Sequence, residues 1–265
     1  MSENAFPKRT KNGSNGGLTM SYPRFFVDAD TVEGSVIVLD GESAQHISRS
    51  LRMTVGQRIV VCDKTGNEYE CVLDSFTADS VSAVIEDVRR NASEPLYFAT
   101  VYQACPKSDK MDSIVQKAVE LGASEIVAFM SGRCVVKYDH KDFEKKLARW
   151  QKIAAEAAKQ SGRGKIPMVR RLGSLKEAVS EINERGGGFM CYEDEDALTL
   201  KEYLAVDGNM EKISFIIGPE GGFSADEAEF CRQNGIRTVG LGKRILRTET
   251  ASGYVLACLS YEKEL

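Results

Sequence analysis

Three segments of this chain gather glycine, carboxylates and arginine in the pattern of loops at strand ends. Gly218-Pro219-Glu220-Gly221-Gly222-Phe223 follows the apolar run ISFII and leads into Ser224-Ala225-Asp226-Glu227, a capping box with serine at the N-cap and glutamate three residues on. Its three glycines permit positive φ or close backbone approach to a ligand, and Pro219 stiffens the turn. The segment is neither GxGxxG nor GxxxxGK followed by Ser or Thr. Glu220 and the acids after it would repel a phosphate at a helix N-terminus. A neutral or cationic cofactor suits this loop better than NAD or ATP, although a tight strand-to-helix turn with no ligand satisfies the same spacing.

The second segment is Cys191-Tyr192-Glu193-Asp194-Glu195-Asp196, after GGFM, and the third runs from Leu241 to Ala251, after IRTVG. In the third, Lys243, Arg244 and Arg247 interleave with Ile245 and Leu246 just before Thr248-Glu249-Thr250. That mixture can line a pocket with an apolar wall and a cationic rim, or be the solvated start of a helix. Arginine is the better choice than lysine for a planar base or a phosphate, because its fork offers several fixed donors.

Positioning such loops requires strands that end together. Residues 24–90 carry short β-like runs, RFFV, SVIVL, RIVVCD, EYECVLDSF and SVSAVIEDV, broken by turn signals at Glu33-Gly34, Val55-Gly56 and Thr65-Gly66-Asn67. They predict a small β barrel, interrupted by a helix over Glu42 to Arg52 where Ala44, Ile47 and Leu51 recur at helical spacing. Arg90 to Pro95 reads as a linker. Beyond it, strand and helix alternate: LYFATVYQA, a helix over Lys110 to Leu121 closed by Gly122, EIVAFM, a long basic helix through Phe143, Leu147, Trp150, Ile153 and Ala157, a helix over Leu175 to Glu184, GGFMCY, KISFIIG, a helix over Ser224 to Gln233, IRTVGL, and a closing helix over Thr248 to Glu262. Alternation implies an α/β domain with a parallel sheet, whose ligands bind beyond the carboxyl ends of its strands. The domain reading is a disordered tail at 1–20, with Met20 an alternative start, a β module at 21–92 and an α/β domain at 93–265.

Of 265 residues, 42% are hydrophobic and 28% charged, which excludes disordered and fibrous classes and predicts a soluble, cytoplasmic protein with no membrane span. Seven scattered cysteines without a CxxC pair read as reduced core residues, and two histidines, His46 and His140, exclude a multi-histidine zinc site. No metal is expected. Net charge is −4, which argues against nucleic-acid binding, yet residues 131–171 hold twelve Lys or Arg against four acids. That excess fits an RNA-facing surface or an ordinary solvated helix face equally well.

GPEGGFSADE together with LGKRILRTETA resembles the SPOUT superfamily of RNA methyltransferases, and within it the RsmE family, which methylates N3 of a uridine in 16S ribosomal RNA. RFFVD, HISRSLRMTVGQ, CPKSDKMDSIVQKAVELGASEI and RWQKIAAEAAKQSGRGKIP are similar to that family's pattern in the same order, so the resemblance covers roughly Tyr22 to the C-terminus.

The resemblance implies a PUA-like RNA-binding barrel, followed by a domain whose C-terminal part forms a trefoil knot and pairs two subunits into a homodimer. It implies S-adenosylmethionine in the three loops, through Cys191, Tyr192 and Glu193, then Ile217, Gly218, Pro219, Glu220, Gly221 and Gly222, then Leu241, Gly242, Ile245 and Leu246. Arg247, with Arg24 arriving from the small module or the partner subunit, is the expected catalytic pair. Arg24, His46, Arg49, Arg52, Lys107, Gln160, Arg163, Lys165 and Arg244 are the expected contacts to 16S RNA in the 30S subunit. Glu249 is read as a helix-terminal residue and not as a base. The rivals are a related knotted enzyme acting on tRNA or a ribose 2′-oxygen, a silent RNA-binding assembly factor, and a Rossmann-type enzyme, whose glycine fingerprint is missing.

Overall fold

Alternating burial along the first strands sets the inner and outer faces of an N-terminal sheet. The computed structural model describes residues 22–206 and 211–265, so the tail expected at 1–20 lies outside the described residues. The sheet contains β1 (Arg24–Phe26), β2 (Val32–Glu33), β3 (Val36–Asp40), β4 (Arg58–Cys62), β5 (Asn67–Phe76) and β6 (Ser80–Arg90), in the order β1-β4-β5-β6-β3-β2. All pairs are antiparallel except β1 with β4. Phe25, Ile37, Leu39, Ile47, Ile59, Val61 and Leu73 meet in its core. The expected helix over Glu42 to Arg52 is one α turn, α1 (Gly41–Gln45), widening into π turns at His46–Ser50. Ala44 and Ile47 are buried there, but Leu51 is exposed, because Arg52 takes a positive φ of 51° and turns the chain away.

The second sheet is entirely parallel, built from β7 (Phe98–Ala104), β8 (Glu125–Phe129), β9 (Met168–Arg171), β10 (Phe189–Cys191), β11 (Lys212–Ile217) and β12 (Arg237–Val239) in the order β12-β10-β11-β7-β8-β9. Its central strands are buried nearly throughout, as expected where helices cover both faces. Helices α2 (Lys110–Glu120), α3 (His140–Gln160), α5 (Leu200–Val206) and α7 (Thr248–Glu264) pack on one face. α4 (Leu175–Glu184) and α6 (Ala225–Gln233) pack on the other. β9 and α5 escape sequence reading: β9 offers one buried apolar side chain, Val169, followed by two arginines that find carboxylates from elsewhere.

The boundary signals hold where local chemistry sets them. Ser224 and Glu227 form both halves of the capping box, Ser174 caps α4, and Gly122 closes α2 at φ 92°. All seven cysteines are free, five of them buried. Among the described residues no helix is long and apolar enough to cross a membrane, and no cluster of His, Cys, Asp or Glu has metal-binding geometry.

Candidate active site

Because β12, β10 and β11 are neighbours and parallel, the three loops singled out by sequence leave the same edge of the sheet side by side. They enclose a cleft of about 440 Å³. Cys191, Tyr192 and Glu193 line it from the first loop, and Ile217, Gly218, Pro219, Glu220 and Gly222 from the second. Leu241, Gly242, Ile245 and Leu246 line it from the third, with Arg244 and Arg247. Gly221 does not line the cleft: its outer side faces Arg133, whose guanidinium donates to the Gly221 carbonyl at 2.7 Å. Asp196, Phe223, Lys243, Thr248 and Ala251 of the same three segments also line it, and Lys110, which sequence reading did not place in this pocket, completes the wall.

The loops are held by hydrogen bonds that reach across the sheet. Thr248 Oγ1 donates to the Gly218 carbonyl at 2.6 Å and accepts from Gln103 Nε2 at 3.0 Å, while Gln103 also donates to Ala104 O at 2.9 Å. Gly222 sits at φ 61° and donates to Pro219 O at 3.0 Å, closing the tight turn. A side chain at Gly222 would run into the Glu193 carboxylate, which lies over it. Gly240 passes directly beneath the backbone of Glu195, donating to Leu198 O at 2.8 Å and accepting from Leu200 N at 3.1 Å. Glycine is required at this crossing because a Cβ would strike backbone, which cannot move aside.

The charges are arranged in two groups. Glu193, Asp196 and Glu220 carry negative charge, Lys243, Arg244 and Arg247 carry positive charge in the segment before α7, and Lys110 of α2 stands beside Glu220. Glu220 does not stand free as a repelling anion. Burial alone would raise its carboxyl, but Lys110 Nζ at 2.9 Å and backbone N–H groups including that of Lys107, at 3.1 Å, outweigh this and hold it below the usual carboxylate range. The same hydrogen bond, with the charges of Glu220 and Glu249, holds the Lys110 ammonium above its ordinary value. Burial pushes the Cys191 thiol up, so Cys191 lines the cleft as a neutral group. Arg247 occupies the N-cap position of α7 and makes no side-chain cap. No carboxylate among the described residues pairs with it or with Arg244.

Besides Gly221, one expected site residue is corrected, Arg163. Arg163 is 3% exposed, and its guanidinium donates to Glu94 at 2.8 and 3.2 Å and to the carbonyls of Val119 and Ala123 at 3.1 and 2.6 Å. Every donor faces protein, so Arg163 is a brace between α3 and the interdomain segment and not an RNA contact. Arg24 does not reach the cleft of its own chain. It is held at 2.7 Å by Glu68, with Cys62 Sγ at 2.8 Å, beside the domain junction where Asn91 donates to Gly162 O. The remaining expected contacts, His46, Arg49, Arg52, Lys107, Gln160 and Lys165, are exposed. The basic stretch 131–171 is largely paired, for example Arg149 with Asp112 and Arg170 with Glu125, which reduces its apparent excess charge. Glu249 lies in the first turn of α7, as a helix-terminal acid should, and its Oε2 is buried without a hydrogen-bond partner, 3.7 Å from Lys110 Nζ.

The RNA methyltransferase domain family matches residues 92–260, and the RNA methyltransferase PUA domain family matches residues 39–86. The chain is 37% identical over 253 residues to the ribosomal RNA small subunit methyltransferase E of Bacillus subtilis, covering 91% of this chain and 97% of that protein. The crystal structure of a ribosomal RNA small subunit methyltransferase E from Neisseria gonorrhoeae bound to S-adenosyl methionine superposes with a TM-score of 0.81 at 30% identity, covering 91% and 97% of the two chains. A putative methyltransferase from Legionella pneumophila in complex with SAM gives the same TM-score at 28% identity, covering 91% and 98%. With both domains matched in order and the loops gathered at one cleft, the chain belongs to the ribosomal RNA small subunit methyltransferase E, or RsmE, family.

Proposed function

We propose that this protein transfers the methyl group of S-adenosylmethionine to N3 of a uridine in 16S ribosomal RNA of the small subunit. The observation that carries the reading is the single cleft lined by the carboxyl-end loops of β10, β11 and β12, acidic on one part of its wall and arginine-rich on the other. The residues fit the cofactor. Gly242 has open space where a side chain would stand, Cys191, Ile217, Phe223, Leu241 and Leu246 give apolar walls, and the acids suit a sulfonium and an ammonium better than a polyphosphate. When bound, the cofactor supplies an electrophilic methyl carbon on a cationic sulfur.

The chain's own groups have two tasks, positioning and charge stabilisation. Uridine N3 must lose its imide proton, which leaves negative charge shared by the two flanking carbonyl oxygens. Arg247, at the cleft rim and without a carboxylate partner, donates to that developing charge. Holding the two reactants in line supplies up to roughly 7–11 kcal/mol with no covalent intermediate and no metal. Arg49, Arg52, Lys107, Gln160, Lys165 and Arg244 contact the RNA. Residues 21–92 form the RNA-docking module and 93–265 the transferase.

We read the region after β11 as a trefoil knot. The passage of Gly240 beneath the 195–199 backbone, followed by the return of α7 to pack on α2, β7 and β11, supports that path. A homodimer through this region is supported by the outward face of α7, where Tyr254, Ala257, Cys258 and Tyr261 recur every three or four residues and Tyr261 is 72% exposed.

The test is methyl transfer from labelled S-adenosylmethionine to undermethylated small subunits, followed by nucleoside analysis. 3-Methyluridine is the expected product. Another methylated nucleoside retains the transferase but discards the target, and cofactor binding without transfer leaves a silent RNA-binding role.

A further inference from the structure

We propose that Lys110 is a second catalytic cation of the methyl-transfer site, donating from its ammonium to one uracil carbonyl oxygen while Arg247 donates to the other. The inference rests on the uridine-N3 reading above. Loss of the imide proton to solvent leaves charge on O2 and O4, which flank N3 on opposite sides. N3 then forms the new nitrogen–carbon bond with its electron pair as the carbon–sulfur bond of the sulfonium breaks onto sulfur. One arginine cannot serve both oxygens unless the ring lies edge-on to its fork, whereas two separate cations can.

Lys110 meets the geometric requirements. It opens α2, directly after the carboxyl end of the central strand β7, and lines the same cleft as Arg247. Its ammonium has three donors, of which Glu220 Oε1 takes one at 2.9 Å. Glu249 Oε2 at 3.7 Å is too far to take another, and a third of the Lys110 side chain remains exposed. The charged groups facing the ammonium are Glu220 from the β11 loop and Glu249 and Arg247 from α7. The two carboxylates keep it protonated, so it acts as a donor and not as a base.

A purely structural role, bracing Glu220, leaves two features without a cause. Glu220 is already held by the Lys107 backbone N–H through both oxygens, at 3.1 and 3.2 Å. Glu249 Oε2 is buried without a hydrogen-bond partner, an arrangement that native structures rarely tolerate without a functional reason. A buried carboxylate oxygen 3.7 Å from the ammonium of a cleft-lining lysine is a positioning group for that lysine.

The experiment compares Lys110→Met, Lys110→Arg and Glu249→Gln with the parent protein. It measures cofactor affinity by calorimetry, melting temperature, and single-turnover methylation at saturating cofactor across pH. Lys110→Met is expected to fold normally, keep its cofactor affinity, and lose about 100- to 1,000-fold in rate, the cost of removing one donor to a developing oxyanion. Its deficit should shrink as pH rises, because hydroxide then supplies the imide anion that the cation no longer stabilises. Lys110→Arg should recover part of the rate, and Glu249→Gln should fall between. A Lys110→Met rate equal to the parent's overturns the inference, as does a loss that follows weakened cofactor binding with an unchanged pH profile. If the parent protein makes a nucleoside other than 3-methyluridine, the reading beneath the inference fails, and the inference with it.

Discussion

The hydroxyl of Thr248 donates to the carbonyl of Gly218 across thirty residues of sequence, at 2.6 Å, while accepting from the fully buried Gln103. One side chain therefore fixes a peptide of the β11 loop against the first turn of the helix that carries Arg247 at its N-cap. Replacing Thr248 by Val keeps the shape and removes the hydroxyl, leaving the Gly218 carbonyl and a Gln103 N–H without this partner. The expected cost is about 1–3 kcal/mol, with weaker cofactor binding, and Thr248→Ser should restore both. Calorimetric titration and thermal melting decide it; a Val variant that binds cofactor like the parent protein removes the clamp from the argument.

Arg163 gives a second prediction, opposite to the one its sequence context suggests. Breaking a buried ion pair by removing one partner strands the other, so Arg163→Met should destabilise by about 3–5 kcal/mol, leaving Glu94 and two carbonyls short of donors. Denaturant titration should show a lower midpoint. Unchanged stability combined with weaker RNA binding would return Arg163 to the RNA surface.

The contrast between these residues shows what the sequence makes legible. The three cleft loops, the capping box at Ser224 and Glu227 and the periodic core face of α3 are local patterns, and local patterns survive into the structure. Arg163 reads as a surface arginine because Glu94 stands 69 residues earlier, and no periodicity joins the two. Lys110 reads only as the first residue of a helix until β7 and β11 are laid side by side and Glu220 reaches it. β9 is hidden for the same reason: its arginines are accommodated by Glu125 of the neighbouring strand, Glu181 of α4 and Glu144 of α3. Partners distant in the chain are what a single sequence conceals.

Gly240→Ala should be more damaging than its size suggests. The new methyl would meet the backbone oxygen of Glu195, and the crossing strands around it are tied by hydrogen bonds on both sides. Gly242→Ala, at φ 101° but with open space around it, is the control: it bears backbone strain of about 1–2 kcal/mol without the clash. Soluble yield and melting temperature should rank parent, Gly242→Ala, Gly240→Ala in decreasing order. Equal behaviour of the two variants would show that the crossing can open.

Acid should loosen the small domain through Asp63. Burial alone would raise this carboxyl, but hydrogen bonds from Asn67 and Thr65 outweigh it and bring it to about 2. A folded-state value below the ordinary 3.8 means the stabilisation is present above that value and is lost as pH falls from about 4 through about 2. The displacement corresponds to about 2 kcal/mol. Asp63→Asn should lower stability near neutrality and flatten the acid limb of the stability curve, measured by chemical denaturation at a series of pH values. An acid limb identical to the parent's would place the titrating group elsewhere, for instance at Glu68, which Arg24, Arg89 and Asn91 hold low against its burial.

RNA binding by a chain of net charge −4 must come from local contacts, and their number can be counted by salt. Each phosphate neutralised releases counterion, so each cation that truly meets RNA contributes close to one unit to the slope of log affinity against log salt. Arg49, Arg52, Lys107 and Lys165 are exposed, and none has a carboxylate within ion-pair distance among the described residues, so each is free to make such a contact. Replacing any one by Ala should lower the slope by about 0.7–0.9 and weaken binding without changing cofactor affinity. Arg149→Ala, removing an arginine already held by Asp112, should leave the slope nearly unchanged. If all five variants shift the slope alike, the whole basic face engages RNA and its ion pairs open on binding; if none does, the RNA is held by the cleft alone.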